Sequence, residues 1–425
     1  MASKSNLLVV IDIGTSKMSA FAGTENRDDG KIEVLGASKV PSRGIKRGVV
    51  LNIEEAAKAI ELLLENIRDQ VDGKIEKVDV AYAGQPVRII EHKGYRYSSG
   101  DGVVTKSDIE ELFDEAKNLN IEKDYEILHI IPQAFIVDDE VMELSPVGIA
   151  GRKIEAFYKI ITVPSLQLTN IRRTLERAGY KAGEIVYSPM AVSETVLTED
   201  EKEVGAVLLD IGAGTTKMAV YFEGIMVHTA VIPFGGDVIS RDIKEGCSIL
   251  PKWAEQLKVQ YGEALGDFAD EQKIVTIPGH SGWDPKEISF KSLAYIIQAR
   301  MEEIVDSVYY QIETSGTTEK VGSGIVITGG TSGLQNLVSL VKFRTGMDAR
   351  IAYPVFRPKS EIRNIAQADY YTVLGMLKRE LLNNNSENKG KKYKKKKEGG
   401  FSPWLKGVVQ GVLDYVDDDE DVIMN

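Results

Sequence analysis

Two stretches of this chain repeat each other, and any fold it adopts has to accommodate both. Leu7–Ala22 reads LLVVIDIGTSKMSAFA and Val207–Phe222 reads VLLDIGAGTTKMAVYF. In each copy an apolar run ends in Asp and Ile-Gly follows. A turn of Gly, Thr and Ser comes next, and Lys-Met then opens a second apolar run. The turn is too short for a crossover helix, so each copy is predicted to be a β-hairpin. Glycines let backbone N–H groups close on phosphate oxygens, and Thr and Ser hydroxyls add donors. An Asp at the end of a strand can hold the waters of a Mg²⁺ ion. One Asp-Ile-Gly turn is an ordinary hairpin turn. Two copies with matching flanks, set face to face, would grip a polyphosphate from both sides.

A third element fits the same scheme. Gly324–Leu334, GIVITGGTSGL, is an apolar strand running into a double glycine and then Thr331 and Ser332. Such a double glycine permits close approach of a flat ligand, here an adenosine. Between this element and the second hairpin lies AEQLK, Ala254–Lys258, on a predicted helix. Glu255 and Lys258 share a face of that helix, where they would meet ribose and adenine. Taken alone, the pair reads as a solvated ion pair.

The far end of the chain carries a different signal. Phe401, Trp404, Leu405, Val408, Val409, Val412, Leu413 and Val416 fall on one face of a helix, opposite Lys406, Gln410 and Asp414. The segment is too short and too polar to span a bilayer. Asn383–Gly400 precedes it, with seven lysines and no aliphatic residue, and reads as a flexible linker. A helix on such a tether needs an external apolar surface, and Trp404 with the lysine run suits an anionic membrane interface. A groove on a partner or on the body of the chain itself is the other reading. The acids Asp417 to Asp421 weaken the electrostatic attraction.

Charge and cysteine usage exclude other classes. The net charge of −12 and pI near 5.1 argue against a broad nucleic-acid surface. Cys247 is the only cysteine, so no internal disulfide framework exists and a reducing compartment is expected. Residues 1–6 lead directly into the first apolar run, without the pattern of a signal peptide. Membrane contact is therefore expected from the cytoplasmic side.

The order of the two hairpins and the GG strand resembles the actin, hexokinase and heat-shock-chaperone ATPase superfamily. In detail the chain is similar to the FtsA family of bacterial cell-division proteins. The stretches that carry this are YAGQPVR, VTKSDIEELFDEAK, HIIPQAFIVDD, SETVLTEDEKEVGAVLLDIGAGTT, VIPFGGDVISRDI, AEQLKVQYGEAL and the terminal amphipathic helix. The resemblance implies an α/β, two-domain actin-like fold with an inserted α+β subdomain, 1C. The expected divisions are 1–83 with 163–200 (subdomain 1A), 84–162 (1C), 201–240 with 302–382 (2A) and 241–301 (2B). A linker over 383–400, a membrane helix over 401–417 and an acidic tail over 418–425 complete the chain. Within 1C several short strands and a helix Ser107–Asn118 are expected. A helix capped by Ser165 follows it.

The resemblance also implies roles for residues. Asp12 and Asp210 stand as the aspartates on the Mg²⁺ side. Gly14, Thr15, Ser16 and Lys17 match the first phosphate loop, and Gly212, Gly214, Thr215 and Thr216 the second. Gly236, Glu255, Lys258, Gly329, Gly330 and Thr331 complete the nucleotide set. Where filament-forming relatives carry a Glu-Pro dipeptide this chain has Ser188–Pro189, and Glu194 is out of register. A serine is a poor general base, so tight ATP binding with at most slow hydrolysis is expected. The implied function is to polymerise, to tether filaments of the tubulin-like FtsZ to the inner face of the cytoplasmic membrane at the division site, and to recruit later division proteins. Asp242 and Arg300 match positions that meet the FtsZ C-terminal peptide. As surface residues they also read as an ion pair. A PilM-like pilus protein, a small-metabolite kinase and an MreB-like filament are the rival readings within the superfamily.

Overall fold

The computed structural model describes residues 7–25, 31–98, 101–142, 146–279 and 284–391. For residues 141–142 and 382–391 it describes the backbone alone. Both repeats form antiparallel hairpins, Leu8–Ile13 with Lys17–Glu25 and Ala206–Ile211 with Thr216–Phe222. Each hairpin is the heart of a five-stranded sheet, and the two sheets share one plan. The first hairpin continues antiparallel into Ile32–Pro41, while Lys77–Tyr82 and then Lys181–Tyr187 add in parallel on its other side. The second continues into Ile225–Ile232, with Ile325–Thr328 and Ala349–Ile351 added in parallel. Every residue of Ala206–Ile211 is buried, as a strand covered on both faces requires.

Helices fix how the two halves meet. Ile53–Arg68 is capped by Asn52, whose side chain accepts from the Glu55 amide at 3.1 Å, and it lays Ile60, Leu63, Leu64 and Ile67 on the first sheet. The other face of that sheet is covered by Tyr371–Lys391. This helix returns from the second half of the chain and packs Val373, Leu374 and Leu377 against Val10, Phe21 and Val34. Its first turn thereby comes to the junction of the halves.

The inserted module lies between Tyr82 and the helix Ser165–Arg177. Its sheet runs in the order Arg88–Tyr97, Lys153–Pro164, Tyr125–Val137, Glu140–Met142. Three of these strands have 10, 12 and 13 residues, so the expectation of short strands is corrected: the long ladders carry the module's core. The helix Lys106–Lys117 starts on a capping box of Thr105 with Asp108 and presents Phe113 edge-on to Tyr158.

Two further expectations change. Ser165 is the first helical residue and not the cap. The N-cap position is Pro164, which has no side-chain acceptor, and the Ser165 amide bonds to the Asp124 carbonyl at 2.9 Å instead. Residues 383–391, expected in the flexible linker, continue the helix Tyr371–Lys391. Extending a helix costs far less than starting one, so an anchored helix runs on into Asn- and Lys-rich sequence. The terminal amphipathic segment, residues 401–417, and the tail lie outside the described residues. Among those described, no helix is long and apolar enough to cross a membrane.

The region expected as 2B contains Pro251–Tyr261 and the two-stranded pair Ile274–Ile277 with Lys286–Ser289. Its flanking helices, Gly236–Cys247 and Phe290–Thr314, run across the expected limits at 241 and 301.

Candidate functional site

Asp12 and Asp210 are each the next-to-last residue of a central strand. Both therefore leave their sheets at the carboxyl ends, beside the parallel neighbours, where open α/β sheets bind ligands. A cleft between the halves is lined by Asp12, Gly14, Thr15, Ser16 and Lys17 from the first hairpin. Asp210, Gly212, Gly214, Thr215 and Lys217 come from the second, and Glu255, Lys258, Gly329, Gly330 and Thr331 from beyond it.

The two loops touch. A Cβ on Gly214 would stand 2.6 Å from Thr15 Oγ1 and 3.0 Å from the Arg47 Cα, so only glycine lets the hairpins close on each other. The first loop is braced by Ser42, whose hydroxyl donates to the Gly14 carbonyl at 2.5 Å. Thr15 Oγ1 accepts from the Gly48 amide at 3.0 Å. In the second loop the carbonyls of Gly212 and Ala213 accept from the amides of Gly236 and Asp237 at 2.9 and 2.8 Å. Gly329 has φ 91°, and a Cβ there would meet Ile211 O at 2.4 Å and Asp210 Oδ1 at 2.5 Å. The double glycine thus brings the third element down onto the second hairpin, while Gly330 faces open space.

Strand register corrects the alignment of the lysines. Ile13 pairs with Met18 and Ile211 with Thr216, so the turns are Gly14–Lys17 and Gly212–Thr215. Lys17 has no partner across its hairpin and opens the strand Lys17–Glu25 opposite Pro41 of the next strand. Lys217 stands on a strand directly opposite Asp210, at the place Ser19 takes opposite Asp12. Lys217 Nζ lies 2.7 Å from Asp210 Oδ2, with both side chains almost fully buried. Burial works against the charge of Lys217, but Asp210 and Asp12 outweigh it and hold its pKa above the ordinary value. Burial pushes the Asp12 carboxyl up to about 6. Lys217 opposes this, Asp210 adds to it, and Lys17 and the Thr372 hydroxyl oppose it. Lys17 is drawn below its ordinary value by burial and by Lys39.

Glu255 and Lys258 are placed as a pair, 2.7 Å apart, and Lys258 also donates to the Gly236 carbonyl at 3.0 Å. Three residues expected at the site stand back from it. Thr216 is fully buried and donates to the Phe234 carbonyl at 2.9 Å, bracing the hairpin from behind. Gly236 supplies its carbonyl to Lys258. Ser188 opens the helix Ser188–Val196, is buried, and its Oγ has no hydrogen-bond partner among the described residues. Glu194 is occupied elsewhere. Against a burial effect that raises its pKa, Lys202 at 3.0 Å and Lys378 at 3.1 Å hold the carboxyl down to about 2. Away from the cleft, Arg300 Nε donates to Asp242 Oδ2 at 2.6 Å and its NH2 group to Oδ1 at 3.2 Å.

The sequence reading missed Lys217, Asp369, Thr372 and Gly48, all of which line the cleft. Lys217 had a signal, since the Lys-Met pair occurs in both repeats. Asp369 and Thr372 had none, because they come from the start of the returning helix.

Comparison with known proteins places this architecture. The family model "Cell division protein FtsA" matches residues 207–375, and "SHS2 domain inserted in FTSA" matches 84–162. Cell division protein FtsA of Neisseria meningitidis is 35% identical over 355 residues, 83% of this chain and 85% of that protein. The Pseudomonas aeruginosa relative is 33% identical over 371 residues, 87% of this chain and 88% of its own. The chain belongs to the FtsA family of cell-division proteins. Among solved structures, the PilM-PilN type IV pilus biogenesis complex aligns with TM-score 0.62 at 15% identity, covering 88% of this chain and 98% of that one. MreB5 of Spiroplasma citri bound to ADP aligns with TM-score 0.55 at 13% identity, over 91% and 99%. These two likenesses show the actin-like fold. Nucleotide binding is what an actin-like ATPase family implies for the cleft.

Proposed function

We propose that this chain binds ATP with Mg²⁺ in the cleft, polymerises, and ties FtsZ filaments to the cytoplasmic face of the inner membrane at the division site, where it recruits later division proteins. The observation that carries the nucleotide reading is the contact of two glycine loops from duplicated hairpins, with Asp12, Lys17, Asp210 and Lys217 of those hairpins around one cavity. Asp12 and Asp210 are the residues that would hold the metal. A pair of carboxylates, one of them without a lysine across the strand, suits an ion that keeps most of its waters. When bound, Mg²⁺ neutralises phosphate charge. The chain's own part is to hold the phosphates with the loops of Gly14–Lys17 and Gly212–Thr215 and to seat the base near Glu255, Lys258 and Gly330. Ser188, buried behind the cleft, offers an attacking water nothing to lean on, so turnover is slow and the nucleotide acts as a conformational ligand.

The tether rests on family membership and on sequence. Residues 401–417 are the membrane helix in this reading, and the linker shortens to 392–400 because 383–391 are helical. In this reading 2B is bounded by the helices Gly236–Cys247 and Phe290–Thr314, and the FtsZ C-terminal peptide meets it near Asp242 and Arg300. Those two residues pair with each other at 2.6 Å, so a peptide carboxylate would have to share the arginine. A single experiment tests the whole reading. FtsZ C-terminal peptide should sediment with phosphatidylglycerol vesicles only when the intact chain and ATP are present. A Trp404→Glu/Leu405→Glu variant and a chain ending at Lys391 should both leave the peptide in solution. Peptide that pellets equally with the shortened chain would refute the membrane role of residues 401–417.

A further inference from the structure

The first turn of the returning helix reaches into the nucleotide cleft, and its chemistry there is unassigned. Ala368, Asp369 and Thr372 line the cavity, in a 3₁₀ turn Ala368–Tyr370 that runs into the helix Tyr371–Lys391. Thr372 stands in the cavity beside Asp12, where its hydroxyl counters the burial that raises the Asp12 carboxyl. One turn earlier, the two oxygens of Asp369 are divided between two lysines: Oδ1 contacts Lys17 Nζ, and Oδ2 lies 2.5 Å from Lys39 Nζ. Lys17 is the cation of the first phosphate loop, and its partner Asp369 lines the same cavity.

We propose that Asp369 is the counter-ion of Lys17 and competes with nucleotide phosphates for it. This rests on the nucleotide reading of the cleft. Three features make the exchange inexpensive. The pair is only partly buried, with side-chain exposures of 34% for Lys17 and 26% for Asp369, so water screens both ends as it opens. Lys39, on the strand Ile32–Pro41, stays on the other carboxylate oxygen, so Asp369 is not left as an uncompensated charge. Lys17, at the very start of its strand, pairs with Pro41 and is not tied to a cross-strand carboxylate. The second hairpin offers the contrast: Lys217 is locked to Asp210 with side-chain exposures of 9% and 10%, and among the described residues no other cation forms an ion pair with that aspartate. Asp369 therefore sets affinity for the charged part of the ligand and leaves the base untouched. It is a positioning residue that acts through Lys17.

The test is calorimetric titration of the full chain with ATP, ADP and adenosine in Mg²⁺ buffer. The chains compared are wild type, Asp369→Asn, Lys17→Met and the double variant. Releasing Lys17 from a partly exposed pair is expected to tighten ATP binding about two- to fivefold. Adenosine affinity should not change, and the gain should vanish when Lys17 is already Met. ATP binding that is unchanged or weaker in Asp369→Asn overturns the proposal. So does an equal gain for adenosine, which would mark a purely structural role. A gain that survives in the double variant overturns it as well, since Asp369 would then act on the phosphates directly. A wild-type chain that binds none of the three ligands removes the nucleotide reading itself, a result separate from all of these.

Discussion

The two repeated hairpins share a sheet plan, a turn length and an aspartate at the same position, yet they treat charge in opposite ways. In the second, Asp210 and Lys217 face each other across the strands and neutralise one another in a nearly closed interior. In the first, Ser19 stands opposite Asp12, the lysine has moved to the very start of the strand, and it reaches out to Asp369 in the 3₁₀ turn before the returning helix. One hairpin is an electrostatically finished framework. The other keeps an anion and a cation available to a ligand. The difference comes from where a lysine falls relative to the register, and a motif comparison that aligns Lys-Met with Lys-Met hides it.

The largest expected effect separates the lysines by stability. Lys217→Met strands a buried carboxylate, which should cost about 3–5 kcal/mol in urea unfolding near neutral pH. Lys17→Met removes a partly exposed partner from Asp369 and should cost within about 1 kcal/mol. Equal losses would mean the two hairpins do not differ as described.

A second substitution probes what the hairpins share. In Gly214→Val the new side chain collides with Thr15 and the backbone at Arg47, so the halves cannot close over a ligand. Overpacking of this kind costs about 1–3 kcal/mol, and ATP affinity should fall about 10- to 100-fold in a titration. Retained affinity would show that the loops do not need to meet.

The reach of the sequence follows the same division. Asp12, Asp210, the loop glycines and the GG strand were readable because strand, turn and aspartate lie within a few residues, and the repeat doubled the signal. The actin-like fold with its insertion was readable for the same reason. What escaped depends on distance or on register. Asp369 and Thr372 reach Asp12 and Lys17 only because the returning helix covers the first sheet, and nothing near either motif encodes that. Thr216 looked like a ligand from its place in the motif, but pairing with Ile232 leaves its hydroxyl on the Phe234 carbonyl. Ser165 had the residue type of a cap, and the chain used a carbonyl from Asp124 instead.

The smallest effect tests whether the first hairpin's unneutralised aspartate is the one that takes the cation. Burial raises the Asp12 carboxyl to about 6, well above its value of about 3.9 in an unfolded chain. For an acid shifted upward, the stabilising contribution belongs to the neutral form. It is fully present below about pH 4 and is lost as pH rises through about 6. Asp12→Asn mimics the neutral form and should therefore gain about 2–3 kcal/mol over wild type above pH 6, with the gain shrinking toward pH 4. Cation binding has the reverse requirement, since it needs the ionised carboxylate. Affinity of the wild-type chain for Mg–ATP should rise up to about tenfold per pH unit between 5 and 6 and then level off. The terminal phosphate of the ligand titrates in the same range, near 6, but it does so for both chains. The result is therefore read from the difference between wild type and Asp12→Asn, which should widen with pH up to about 6 and stay constant above it. A constant difference from pH 5 to 8 would assign the cation to Asp210 despite its lysine, and the contrast between the hairpins would fail at its most specific point.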